Sequence, residues 1–140
     1  MDGKKQINKR LFEFNKMNTT NKKNSRQYKR DGITSYLLVS EDSCNAKNIT
    51  VTLVEMGKNG FQHIHSHKTE QSYFIIEGKG VMTVGNEKRK IKCGDCVFIP
   101  SNISHGLKNT GGTKLKYLSA GAPPFGKKEE IILWPIQPKT

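Results

Sequence analysis

Acidic residues are scarce in this chain: 12 Asp and Glu stand against 24 Lys and Arg, a formal net charge of +12 over 140 residues. Apolar residues are also few, at 34%. That is enough for the single core of one domain and too much for an obligately disordered chain. No apolar run nears the ~18 residues that a membrane-spanning helix needs, so no membrane role is expected. The N-terminal stretch is polar and Lys-rich and lacks the apolar segment of a secretory signal. Three cysteines cannot close a complete set of intramolecular disulfides. The expectation is a reduced, cytoplasmic protein.

Cys93 and Cys96 form a lone Cys-x-x-Cys. A zinc site would need a second pair. A redox pair would sit at a helix N-terminus, whereas Gly94-Asp95 reads as a β-turn. The two thiols are therefore read as small residues flanking a turn, and Cys44 as incidental in a polar loop.

The positive charge is uneven. Residues 1–31 hold ten Lys and Arg against three Asp and Glu. We read 1–31 as a basic N-terminal arm and 32–140 as the folded domain. A basic arm can hold phosphate groups, but no helix-turn-helix or zinc-finger pattern follows it. A solvated extension is the expectation, and nucleic acid is not an expected partner. Leu11, Phe12, Phe14 and Met17 give the arm one apolar piece, too short for its periodicity to decide between helix and strand.

From Ile33 onward, short runs rich in Val, Ile, Phe, Tyr and Thr alternate with Gly, Asn, Asp and Pro. Expected strands are Ile33–Val39, Ile49–Met56, Phe61–His67, Gln71–Glu77, Val81–Val84, Lys88–Lys92, Cys96–Ile99, His105–Lys108, Lys114–Ser119 and Ile131–Trp134. Many short strands at this spacing predict an all-β sandwich or barrel. Gly85-Asn86 reads as a tight hairpin turn.

The chain has four histidines, His63, His65, His67 and His105. The first three alternate, so on a strand they share one face. Three imidazoles on one face suit a divalent transition metal such as Zn, Mn, Fe, Ni or Cu.

These residues carry a resemblance. His65-Ser66-His67 through Gly78 resembles the first motif of the cupin superfamily: a His-x-His pair, three or four residues, an acidic ligand, six residues and a Gly. Gly94 through Asn109 resembles the second, with Gly94, Pro100, His105 and Asn109 at matching spacings and Asn102 where the motif has Gly. Asn tolerates the left-handed backbone needed there. The resemblance spans roughly Gly32 to Trp134 and implies a cupin double-stranded β-helix, a jelly-roll barrel. It implies four metal ligands brought to one point. One register gives His65, His67, Gln71 and His105, with His63 deeper on the same face as pocket wall or ligand support. The other uses His63, His65 and Glu70. The first is the expectation adopted here, although alternation along 70–76 leaves both open. Glu70 is otherwise a partner that fixes the tautomer of a ligand histidine.

A Gln carbonyl in place of a carboxylate leaves every protein ligand neutral. A bound divalent ion then keeps its full charge and favours an anionic ligand group. The expected function is a metal-dependent cupin enzyme acting on a small anionic oxygenated metabolite, a sugar acid or related carbonyl compound, by Lewis-acid isomerase or lyase chemistry. Some single-domain cupins with three His and a Gln act on uronate-derived sugars. The alternatives are a metal-dependent dioxygenase and a non-catalytic ligand-binding or sensing cupin. Tyr73, which shares Gln71's face, is the candidate catalytic residue, as acid/base or hydrogen-bond donor. Tyr117 is a similar candidate. Asn109 is expected to brace a turn, and Ala122-Pro123-Pro124-Phe125 to close the barrel as a structural tail. Exposed sheet edges, and the habit of such cupins, imply a homodimer.

Overall fold

A computed structural model describes residues 16–126. The apolar piece around Leu11–Phe14 and the expected strand Ile131–Trp134 lie outside the described residues.

Among the described residues nine strands follow one another: β1 (Arg26–Arg30), β2 (Ile33–Val39), β3 (Thr50–Met56), β4 (Glu70–Glu77), β5 (Lys79–Val84), β6 (Glu87–Lys92), β7 (Cys96–Ile99), β8 (His105–Asn109) and β9 (Leu115–Ala122). They form two antiparallel sheets, β1-β2-β3-β9-β4-β7 and β6-β5-β8. Alternation explains how the sheets face each other. Val54, Tyr73, Ile75, Ile99 and Tyr117 come from the larger sheet, and Met82, Ile91 and Leu107 from the smaller; together they make one buried core. At ~25 cal/mol per Å² of apolar surface removed from water, this shared core is the main force closing the barrel.

The chain enters the barrel earlier than position 32. Lys22 pairs with Glu55 on β3, and its ammonium lies 5.0 Å over the ring of Tyr36. Arg26–Arg30 then pairs along its length with Ile33–Leu37. Asp31 (φ +50°) and Gly32 (φ +78°) make the two-residue turn between them. Two positive φ values are what a type I′ hairpin requires, and Asp-Gly is a preferred sequence for it. The last residues of the segment read as an arm are therefore an edge strand, with Tyr28 buried against the core side.

Four other turns position the motifs. Gly85 (φ +58°) opens the two-residue link between β5 and β6. Gly78 (φ +84°) lets β4 pass so close to β9 that a Cβ there would meet the Lys114 carbonyl oxygen at 2.5 Å. Asn102 takes φ +64°, the left-handed conformation expected of it, and its N–H donates to the His67 carbonyl at 2.7 Å. Asn109 braces the loop after β8: its amide donates to the carbonyls of Met56, Gly57 and Thr113. Cys44 ends a single helical turn, Glu41–Cys44, and all three cysteines are free thiols.

The segment 61–67 departs from the expected strand. It touches β8 through two isolated bridges, Phe61 with Lys108 and His65 with His105. Four steps from Phe61 to His65 oppose three from Lys108 to His105. The extra residue breaks the two-residue alternation, as a bulge does.

Candidate metal centre

The bulge decides which histidines converge. His63 sits at a rim, its side chain 52% exposed, with Nε2 2.8 Å from Asp31 Oδ2. It is thus shallower than expected, not deeper, yet it lines the same cavity as His65 and Gln71, as a pocket wall would. His65, by contrast, is held against His105 by reciprocal backbone hydrogen bonds of 3.0 and 2.9 Å. His67 follows two residues on and is buried. The three rings pack with centroids 4.3 to 5.4 Å apart. One nitrogen from each of His65, His67 and His105 lies within 4.8 Å of the others, a cluster able to hold a divalent metal ion.

Each ring is locked in the same way. Nδ1 of His65 donates to the His63 carbonyl at 2.7 Å, Nδ1 of His67 to the Thr69 carbonyl at 2.8 Å, and Nδ1 of His105 to the Ile103 carbonyl at 2.9 Å. A carbonyl only accepts, so the proton of each neutral ring resides on Nδ1 and the lone pair on Nε2. Three backbone oxygens thus do the orienting that a carboxylate often does around a metal. Burial lowers the pKa of His65 against the opposing hydrogen bond to the His63 carbonyl, and a second proton there would also be repelled by the Arg30 charge and by a proton on His67 or His63. Burial likewise pushes His105 down to about 4. Both rings stay neutral at physiological pH, the state a metal ligand needs.

Gln71 faces inward on β4 and lines the same cavity as His65, whereas Glu70 is exposed. The fold therefore does not bring Glu70 and His63 together with the buried histidines. The Gln71 amide donates from Nε2 to Ser119 Oγ at 3.0 Å. Its Oε1, and Nε2 of His105, are buried without a hydrogen-bond partner. Leaving buried polar atoms unpaired costs about 1–3 kcal/mol each. A carbonyl oxygen and an imidazole lone pair are both atom types that a first-row divalent ion accepts as ligands.

The cavity beside this cluster measures about 270 Å³. Tyr73 and Tyr117 form one wall, stacked with centroids 4.3 Å apart, and Tyr73 sits edge-on to His105 at 6.3 Å. Gln62 donates to both hydroxyls, at 3.2 and 3.4 Å. Burial raises the pKa of each phenol, so Tyr73 is a proton-bearing hydrogen-bond donor rather than a phenolate base. Its packing and its placement beside the cluster coexist. Phe125 covers the other side, edge-on to His67 at 5.1 Å, with the tail held by the Thr69 hydroxyl donating to the Pro123 carbonyl at 2.7 Å. Sequence reasoning missed Gln62 and Phe125 as parts of the site. An aromatic after Pro-Pro, beyond the last barrel strand, was the available signal for the second.

The cupin domain family matches residues 52–121, half of the chain, and the chain belongs to that family. It is 34% identical over 87 residues to an uncharacterized protein of Methanocaldococcus jannaschii, covering 62% of this chain and 69% of that protein. It is 30% identical over 83 residues to the oxalate-binding protein of Thermotoga maritima, covering 59% and 69%. Among solved structures, an RmlC-like cupin from Shewanella frigidimarina superposes with a TM-score of 0.67 at 15% identity over 81% of this chain and 96% of that one. A predicted oxalate decarboxylase from Thermotoga maritima does so with 0.66 at 22% identity over 76% and 98%. These structural likenesses establish the jelly-roll barrel. Among the described residues no helix is long and apolar enough to cross a membrane.

Proposed function

We propose that this cupin binds one divalent transition metal through His65, His67, His105 and Gln71 and acts there on a small anionic, oxygen-rich metabolite, a sugar acid or related carbonyl compound. The observation that carries the reading is the pair of buried, unpartnered atoms, Gln71 Oε1 and His105 Nε2, beside rings whose tautomers are already fixed. When bound, the metal supplies Lewis-acid polarisation of a carbonyl or carboxylate oxygen. The chain's own residues do the rest. Four neutral ligands leave an unneutralised positive site, which draws an anion. Among the described residues no Asp or Glu lines the cavity to repel one. Tyr73 donates a hydrogen bond to a substrate oxygen, with Gln62 orienting its hydroxyl. Phe125 and Phe61 restrict water at the mouth. The oxalate-binding relative supports an anionic ligand.

The reaction is of the isomerase or lyase kind, without oxidation. The second reading, a non-catalytic holder of the same class of ligand, is favoured by one observation: both phenols have raised pKa values and are poor proton acceptors. Small oxo- and hydroxy-acids should be offered to the metal-loaded chain with and without air. Product formation that persists without dioxygen is the expected result. Product that disappears without dioxygen would replace this reading with a dioxygenase, and binding without turnover would replace it with the holder.

A homodimer is part of the proposal. Phe74, Ile76 and Phe98 point outward from β4 and β7 and are 47%, 40% and 58% exposed. β7 is also the sheet's edge strand, and a second copy would cover both features.

A further inference from the structure

The strand that precedes the family-matched segment contributes a cation to the cavity. Tyr28 and Arg30 lie two residues apart on β1, so they share its inner face, and both line the cavity with His65 and Gln71. Apart from the histidines, Arg30 is the one ionisable cation among the lining residues. Its Nε donates to Asp31 Oδ2 at 3.1 Å. Among the described residues its two terminal amino groups have no partner, so the guanidinium keeps a free two-pronged edge. Asp31 is held in turn by the type I′ turn and by His63 Nε2 on the same oxygen at 2.8 Å. The guanidinium is therefore oriented before any ligand arrives. The partly exposed Asp31 carboxylate offsets one unit of charge here, so the anion-binding power of this end of the cavity lies in the unpaired donor edge of the Arg30 guanidinium.

We propose that Arg30 is the specificity-determining residue of the cavity: it receives the second anionic group of a small dicarboxylate or oxo-carboxylate whose first group lies at the His65-His67-Gln71-His105 centre. The inference rests on the anion reading above and narrows it to ligands with two oxygen-rich ends. A planar, fixed guanidinium edge matches the two oxygens of a carboxylate, and such charge-assisted paired bonds are about twice as strong as neutral ones. The site spans two parts of the chain. The metal-facing groups come from the family-matched 52–121 segment, and the anion-facing group comes from the hairpin before it.

The test uses the full chain loaded with Zn²⁺ and titrated calorimetrically with oxalate. Arg30→Gln, Arg30→Lys and the surface control Arg89→Gln are compared with wild type, and retained zinc is measured after each titration. Arg30→Gln should weaken oxalate by about 10- to 100-fold, the range for a lost charged hydrogen bond, with zinc content and thermal midpoint unchanged. Arg30→Lys should recover part of the loss, and Arg89→Gln should match wild type. Oxalate bound equally by wild type and Arg30→Gln would overturn the role of Arg30 while leaving the anion reading intact. Zinc-loaded wild type that binds no oxalate would overturn both.

Discussion

Gln71 donates its amide to Ser119 across the β4–β9 pair, and that one bond at 3.0 Å leaves the carbonyl oxygen of Gln71 as its free, buried end. Ser119 thereby turns an uncharged amide into an oriented oxygen donor. Ser119→Ala should loosen metal binding about tenfold, the usual effect of removing a group that holds a ligand, with little change in fold stability. Competition with a chromogenic chelator measures it. Gln71→Glu should move two properties in opposite directions: tighter metal, because a carboxylate adds charge, and weaker oxalate, because the centre loses one unit of net positive charge. Gln71→Glu binding both more tightly would contradict the neutral-ligand account.

Acid should destabilise the metal-free chain through its buried rings. His105 ionises near 6.5 when unfolded and at about 4 when folded. Between these values the unfolded chain holds more protons, so this contribution is complete above pH 6.5 and is lost as the pH falls through about 4. His65 acts in the same direction. A loss of about 2–3 kcal/mol from pH 7 to 4 is expected for His105. Urea unfolding across that range should show it, and His105→Gln should flatten the profile. An unchanged slope in that variant would remove His105 as its source.

At Asn102 the backbone is left-handed, φ +64°. Asn102→Ala should cost about 1 kcal/mol, because a Cβ without a local hydrogen-bonding group pays the left-handed penalty in full. Asn102→Gly should lie within about 0.5 kcal/mol of wild type or above it. Thermal melts of the two variants test the ordering.

Much of this was legible in advance because it depends on local chemistry. The strands Ile33–Val39 and Cys96–Ile99 occur with the bounds their composition predicts, since each is a short β-branched or aromatic run closed by turn residues. The Gly85 and Asn102 turns follow from φ values that few residues accept. The failures have a different cause. Phe61–His67 looks like a strand, but a bulge against β8 leaves only two bridges, and local pattern does not report the partner strand's residue count. His63 consequently faces the rim and Asp31. The strand β1 was hidden by charge. Its Arg and Lys residues read as a solvated arm, although Asp31-Gly32 beside Tyr28 and Ile33 carried the hairpin signature. The place of Arg30 in the cavity was lost with it.

The outward face of β4 and β7 yields a prediction about assembly. The chain should elute as a dimer in light-scattering chromatography, and Phe74→Lys with Phe98→Glu should shift it to a monomer that keeps its metal. These side chains face away from the core, so the fold should tolerate the change. A wild-type monomer at high concentration would remove the homodimer from the proposal.

Metal content tests the account most directly. Purified wild type, loaded with Zn²⁺ and then desalted, should carry about one ion per chain by elemental analysis, and His65→Ala/His105→Ala should carry none while remaining folded. Equal metal in the two proteins, or none in the wild type, would contradict the claim that His65, His67, His105 and Gln71 form a single metal centre.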